Sequence, residues 1–128
     1  MTKECFYPWP PGPEDTPIAD AVALGNLVFT AGQLGQDYET GAVPGDMGSQ
    51  TWLALDNLST ALRAAGSEVG KILKVTIYVT DISRIDEMNQ VYRQYFSFAA
   101  NPPARTTVEV KGLAVPGLMI EVEAIGYR

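Results

Sequence analysis

The chain has 128 residues, 46% of them hydrophobic, with 15 acidic against 9 basic side chains and a net charge of -6. That length fits a single domain spanning 1–128, large enough to bury roughly 70% of the surface its unfolded chain exposes. The acidic balance, with no basic run, argues against nucleic-acid binding through phosphate neutralisation.

Histidine is absent and Cys5 is the one cysteine. Ser-His-Asp and Cys-His catalysis, a disulfide framework and most zinc sites are thereby removed. Acid–base work falls to carboxylates, tyrosines, lysines or ordered water. A lone cysteine fits a reducing, cytoplasmic setting. The amino terminus shows no charged segment followed by an apolar stretch. No apolar run approaches the roughly 20 residues of a membrane span, so no membrane association is expected.

Residues 1–17 read as a proline-rich arm. Its stretch YPWPPGPEDTP (7–17) carries five prolines, which exclude a helix interior or a central strand. Tyr7 and Trp9 suggest an arm that docks. Residues 21–35 read as a hairpin turning at Gly25-Asn26, with its second strand closing at Thr30-Ala31-Gly32-Gln33. A helix over 48–65 follows from Leu55, Leu58, Leu62 and Ala65, with Gly66 beyond its end.

The stretch 71–81 alternates: Leu73, Val75, Ile77 and Val79 on one side, Lys74, Thr76, Tyr78 and Thr80 on the other. A second helix over 85–98 carries Ile85, Met88, Tyr92 and Tyr95, widened by Val91 and Phe96. Asn101-Pro102-Pro103 stops it. Strands over 104–110 and 118–126 close the chain, joined by a Gly/Pro loop. The order ββ-α-β-α-ββ predicts an α+β fold, one mixed sheet with both helices on one face. The other face, with Thr76, Tyr78, Thr80 and Thr107, is neither polar nor apolar throughout and suits cover by another subunit.

Arg105 opens the penultimate strand directly after two prolines. Alternation puts Arg105, Thr107 and Glu109 on one face. One reading is a guanidinium fork gripping a carboxylate through two parallel hydrogen bonds. The other is a surface arginine paired with Glu109 or another acid. Glu121 and Glu123 share a face of the last strand: either a solvated face, or a cleft in which one of them moves protons. Gly32 either admits a ligand close to the backbone or serves an ordinary turn. Asn89, beside the apolar stripe of the second helix, is a surface amide or reaches a cleft.

GNLVFTAGQLG, LDNLSTALRAAG, KVTIYVTDI, MNQVYRQYF, PPARTTVEV and MIEVEAI stand in the order and spacing of the reactive intermediate deaminase family, RidA or YjgF, also called the L-PSP endoribonuclease family. The resemblance covers about residues 21–127, its most specific part being P-A-R-x-x-V-x-V followed by I-E-V. It implies a chorismate-mutase-like fold, a homotrimer with clefts between subunits, and hydrolysis of imines and enamines such as 2-aminoacrylate to keto acids and ammonia. It assigns Arg105 to the substrate carboxylate and Glu121 to positioning water or shuttling protons. It places Ile18, Ala31, Gly32, Asn89 and Thr107 around the substrate. No metal or cofactor is implied, and the partner is a small-molecule carboxylate.

The chain departs from the best-known branch at three pocket positions. TPI replaces GPY, giving Ile18 for a tyrosine; Ala31 stands for a serine and Thr107 for a cysteine. The pocket is less polar, which fits a bulkier or more apolar imino acid. It also motivates the alternative of a non-catalytic carboxylate-binding or sensor protein on the same scaffold.

Overall fold

A computed structural model describes residues 1–10, 12, 16–97 and 101–128. Chain order is β1 (Glu4–Phe6), β2 (Ala21–Leu24), β3 (Leu27–Thr30), β4 (Gln33–Leu34), α1 (Met47–Ala64), β5 (Ile72–Val79), α2 (Ile85–Tyr95), β6 (Ala104–Glu109) and β7 (Ile120–Tyr127). The strands form one mixed sheet in the order β1-β2-β3-β7-β5-β6, with β4 also pairing with β7. The β5–β6 pair is parallel. Parallel neighbours need a long crossover, and α2 supplies it.

Both helices lie on one face of the sheet, as expected. Leu55, Leu58 and Leu62 of α1 and Met88 of α2 pack with Val75, Ile77, Val79, Ile120 and Val122 of β5 and β7. All nine side chains are fully buried, each contributing roughly 1.5–3 kcal/mol on leaving water. Asp46 caps α1 by accepting a 2.8 Å hydrogen bond from the Ser49 N–H. Gly66, at φ +82°, lies just past the other end, where a left-handed residue turns the chain away.

Gln50 is also fully buried. Its amide nitrogen donates to the carbonyls of Pro44 and Gly117 at 2.8 and 2.9 Å, and its oxygen accepts from the Met119 N–H at 2.7 Å. One side chain thus pins the loop before α1 to the entry of β7, which carries Glu121.

The structure corrects several sequence expectations. Leu73 is 50% exposed, because the β5–β7 register slips between Ile72 and Lys74. This bulge turns Leu73 outward and gives the buried position to Ile72. Thr107 does not belong to the bare face: it pairs with Ile77 and so faces the helices. The hairpin's second strand breaks at Ala31-Gly32 into β3 and β4. Helix α2 ends at Tyr95 with Phe96 as its cap; residue 98, where the apolar pattern ended, lies outside the described residues.

The arm begins with β1, which pairs with β2. Trp9 then sets its ring edge-on against Tyr38, at 4.8 Å and 89°. The sheet face away from the helices exposes Leu27, Phe29, Leu73, Val108, Ile125 and Tyr127, each 38–50% accessible. No helix among the described residues is long and apolar enough to cross a membrane.

Candidate active site

β6 is an edge strand, and its parallel register places Arg105 opposite Val75 and Thr107 opposite Ile77. Residues paired across a ladder share a face, so both side chains point toward the helix layer. There α2 meets them. Arg105 Nη1 donates a 2.8 Å hydrogen bond to Asn89 Oδ1. The guanidinium carbon lies 4.8 Å from the centre of the Tyr92 ring. Asn89 is therefore engaged by Arg105 rather than being a free surface amide. Pairing of Arg105 with Glu109 is also corrected: Glu109 accepts from the Ile82 N–H at 3.0 Å. Among the described residues the salt bridges are Arg84–Glu87 and Arg128–Glu4, so Arg105 has no carboxylate partner there.

Two further polar atoms belong to this corner. Thr107 Oγ1 and the Tyr92 hydroxyl are shut off from solvent with no hydrogen-bond partner among the described residues. Burial raises the Tyr92 phenol's pKa and the Arg105 charge lowers it, burial being the larger effect. A half-buried cation with one neutral hydrogen bond and no counter-ion suits an anionic ligand.

Glu121 lies on the other face. It pairs with Tyr78, whereas Val122 beside it pairs with Ile77 of the core. Its neighbour Glu123 accepts a hydrogen bond from the Tyr78 hydroxyl. Glu121 has no such partner among the described residues. Its pKa is raised from the ordinary 4.5, first by burial and then by the nearby Glu123 charge. The two glutamates, alike in sequence, are thus distinct: one engaged, the other desolvated and available.

The break in the strand at Gly32 gives Glu121 its room. A Cβ on Gly32 would lie 2.7 Å from the Glu121 carboxyl carbon and closer still to an oxygen. Ala31 N–H donates to the Asp20 carbonyl at 2.9 Å, while the Gly32 N–H has no hydrogen-bond partner among the described residues. Tyr38 braces the same segment. Its hydroxyl accepts from the Leu34 N–H at 2.8 Å and donates to Gln33 Oε1 at 3.1 Å. Burial pushes its pKa up to about 12. Ile18 stands 61% exposed at the end of the arm.

One chain therefore carries two groups. Arg105, Asn89 and Thr107 gather on the helix side, with Tyr92, which its apolar spacing had marked only as core. Glu121 and Gly32 gather on the bare side, beside the strand break that Tyr38 braces through Leu34 and Gln33. The sheet separates them. Trp9 meets Tyr38, so the aromatic arm reaches the brace of the strand break through a residue the sequence had not singled out.

The family model described as endoribonuclease L-PSP matches residues 14–127. The RutC family protein of Pyrococcus abyssi is 38% identical over 133 aligned positions, covering 100% of this chain and 99% of its own. The 2-iminobutanoate/2-iminopropanoate deaminase of Escherichia coli is 39% identical over 113 positions, 88% of each chain. Among solved structures, Escherichia coli TdcF with bound serine superposes with a TM-score of 0.87 at 35% identity, over 98% of both chains.

Proposed function

Because the chain belongs to the reactive intermediate deaminase family, the RidA/YjgF or L-PSP family, we propose that it hydrolyses small 2-imino and enamino acids to keto acids and ammonia. The observation that carries this reading is a pair of unmet charges. Arg105 lacks a counter-ion and Glu121 lacks a hydrogen-bond donor, both among the described residues.

Arg105 takes the substrate carboxylate through two parallel N–H···O bonds on the nitrogens that Asn89 leaves free. An enamine substrate first moves a proton from nitrogen to carbon, giving the imine. Water then adds to the imine carbon while Glu121 accepts its proton. The same carboxyl returns that proton to the nitrogen, giving a carbinolamine, and then passes the hydroxyl proton to the nitrogen as the C–N bond breaks, leaving the keto acid and ammonia. A carboxyl with a raised pKa is closer to the operating pH and suits both directions of transfer. The Gly32 N–H adds a donor beside Glu121. The serine bound by TdcF also carries a carboxylate beside nitrogen.

Arg105 and Glu121 lie on opposite faces of one sheet, so neighbouring copies must complete the site. Three copies pack through their bare faces, whose exposed Leu27, Phe29, Leu73, Val108, Ile125 and Tyr127 are then removed from water. Each cleft takes Arg105, Asn89 and Thr107 from one copy and Glu121, Gly32 and Ile18 from the next. The apolar Ile18 and Ala31 favour an imino acid with an apolar side chain.

The test is ammonia release from 2-iminobutanoate generated in situ by an amino-acid oxidase. Wild-type protein accelerates it. Arg105→Ala lowers kcat/KM by about 10²-fold, as expected on removing a charge-assisted double hydrogen bond. Unchanged turnover in Arg105→Ala refutes its role. Keto-acid binding with no ammonia release would make the protein a sensor.

A further inference from the structure

We propose that Tyr92 is a positioning residue that aims the Arg105 guanidinium, an inference that rests on the reading of Arg105 as the carboxylate anchor. An arginine on an edge strand has several rotatable bonds and no intrinsic direction. Here two residues of α2 constrain it, three positions apart and therefore on one side of the helix. Asn89 fixes one nitrogen at 2.8 Å. The Arg105 guanidinium carbon lies over the Tyr92 ring, 4.8 Å from its centre.

The Tyr92 ring is itself held. One helical turn on, Phe96 stacks on it with centroids 4.6 Å apart and planes tilted by 39°. Phe96 is 7% exposed and part of the core. Tyr95 also contacts Phe96, at 5.7 Å. A continuous stack thus runs from the core through Phe96 and Tyr92 to Arg105. Cation–π attraction strengthens where water is excluded, and this ring is partly buried against the core.

The Tyr92 hydroxyl has no partner among the described residues. The ring face does the holding, so an aromatic replacement serves where an aliphatic one does not. With the guanidinium held over the ring and at Nη1, its remaining nitrogens keep one direction for the carboxylate. Freed from the ring, Arg105 samples other rotamers and binding weakens, while the distant proton-transfer step is unaltered.

The experiment titrates 2-oxobutanoate by calorimetry and measures deaminase kinetics on full-length wild type, Tyr92→Leu, Tyr92→Phe and Arg105→Ala. Tyr92→Leu raises Kd and KM roughly tenfold with kcat held within about threefold. Tyr92→Phe restores both to within about twofold of wild type. If Tyr92→Leu does not fold, Tyr92→Met carries the same comparison. A folded aliphatic variant with unchanged Kd, while Arg105→Ala abolishes binding, overturns the role of Tyr92 alone. Damage by Tyr92→Phe equal to that by the aliphatic variant overturns it as well. Unchanged binding in Arg105→Ala overturns the anchor reading and the inference with it.

Discussion

Arg105 and Glu121 are held on the two faces of one sheet by different means. On the helix side, Arg105 is gripped by α2: an amide at one nitrogen and an aromatic ring beneath its carbon. On the bare side, no hydrogen bond among the described residues grips Glu121. It is placed by a gap, the missing Cβ of Gly32, and desolvated by its surroundings. The contrast suits the two roles proposed for them. An anchor works best with one orientation, whereas a proton carrier needs room to turn between water and leaving nitrogen.

Changing the two glutamates separately gives the largest expected effect. Glu121→Gln lowers kcat about 10²–10⁴-fold, the usual worth of a general acid–base group. Glu123→Gln, whose partner is the Tyr78 hydroxyl, changes kcat by no more than about fivefold, because the amide oxygen still accepts that bond. Equal losses in the two variants would erase the distinction between them.

Gly32→Ala comes next. The new methyl meets the end of a flexible side chain rather than backbone, so Glu121 swings aside. Thermal stability stays within about 0.5 kcal/mol of wild type, while kcat falls roughly tenfold or more through misplacement. Unaltered kinetics in the folded variant would mean the gap at Gly32 does not place Glu121.

The smallest effect is on stability against pH. The folded state holds the Glu121 proton above the ordinary 4.5, through burial first. The folded state then binds more protons than the unfolded one across that window. Stability is fully present below about 4.5 and declines as pH rises through the raised value. Glu121→Gln removes that decline and flattens the profile over the same window, as measured by denaturant midpoints. A profile identical to wild type would contradict the raised pKa.

Much of the frame was legible in the sequence because it depends on local periodicity. Apolar residues at helical spacing marked α1 and α2, and alternation marked β5 and β6. Alternation alone also put Arg105 and Thr107 on one side. What alternation cannot give is which side. Thr107 was assigned to the bare face until the β5–β6 register paired it with Ile77. Leu73 was misplaced because one bulge inverts the pattern locally. Glu121 and Glu123 were equivalent on paper, since the choice between them depends on a Tyr78 hydroxyl from another strand. Tyr92 fitted an apolar stripe, and only the packing of α2 on β6 shows its face against a guanidinium. The roles of Arg105 and Glu121 were suggested by the family resemblance rather than by periodicity.

The central claim is that one copy's Arg105 works with another copy's Glu121. Its most direct test is complementation between two inactive variants, Arg105→Ala and Glu121→Gln, refolded or co-expressed together in equal amounts. Random co-assembly leaves roughly one cleft in four with both residues intact, so ammonia release returns to about a quarter of the wild-type rate. If mixed assemblies form and stay as inactive as either parent, each site is built within a single copy and the account is wrong.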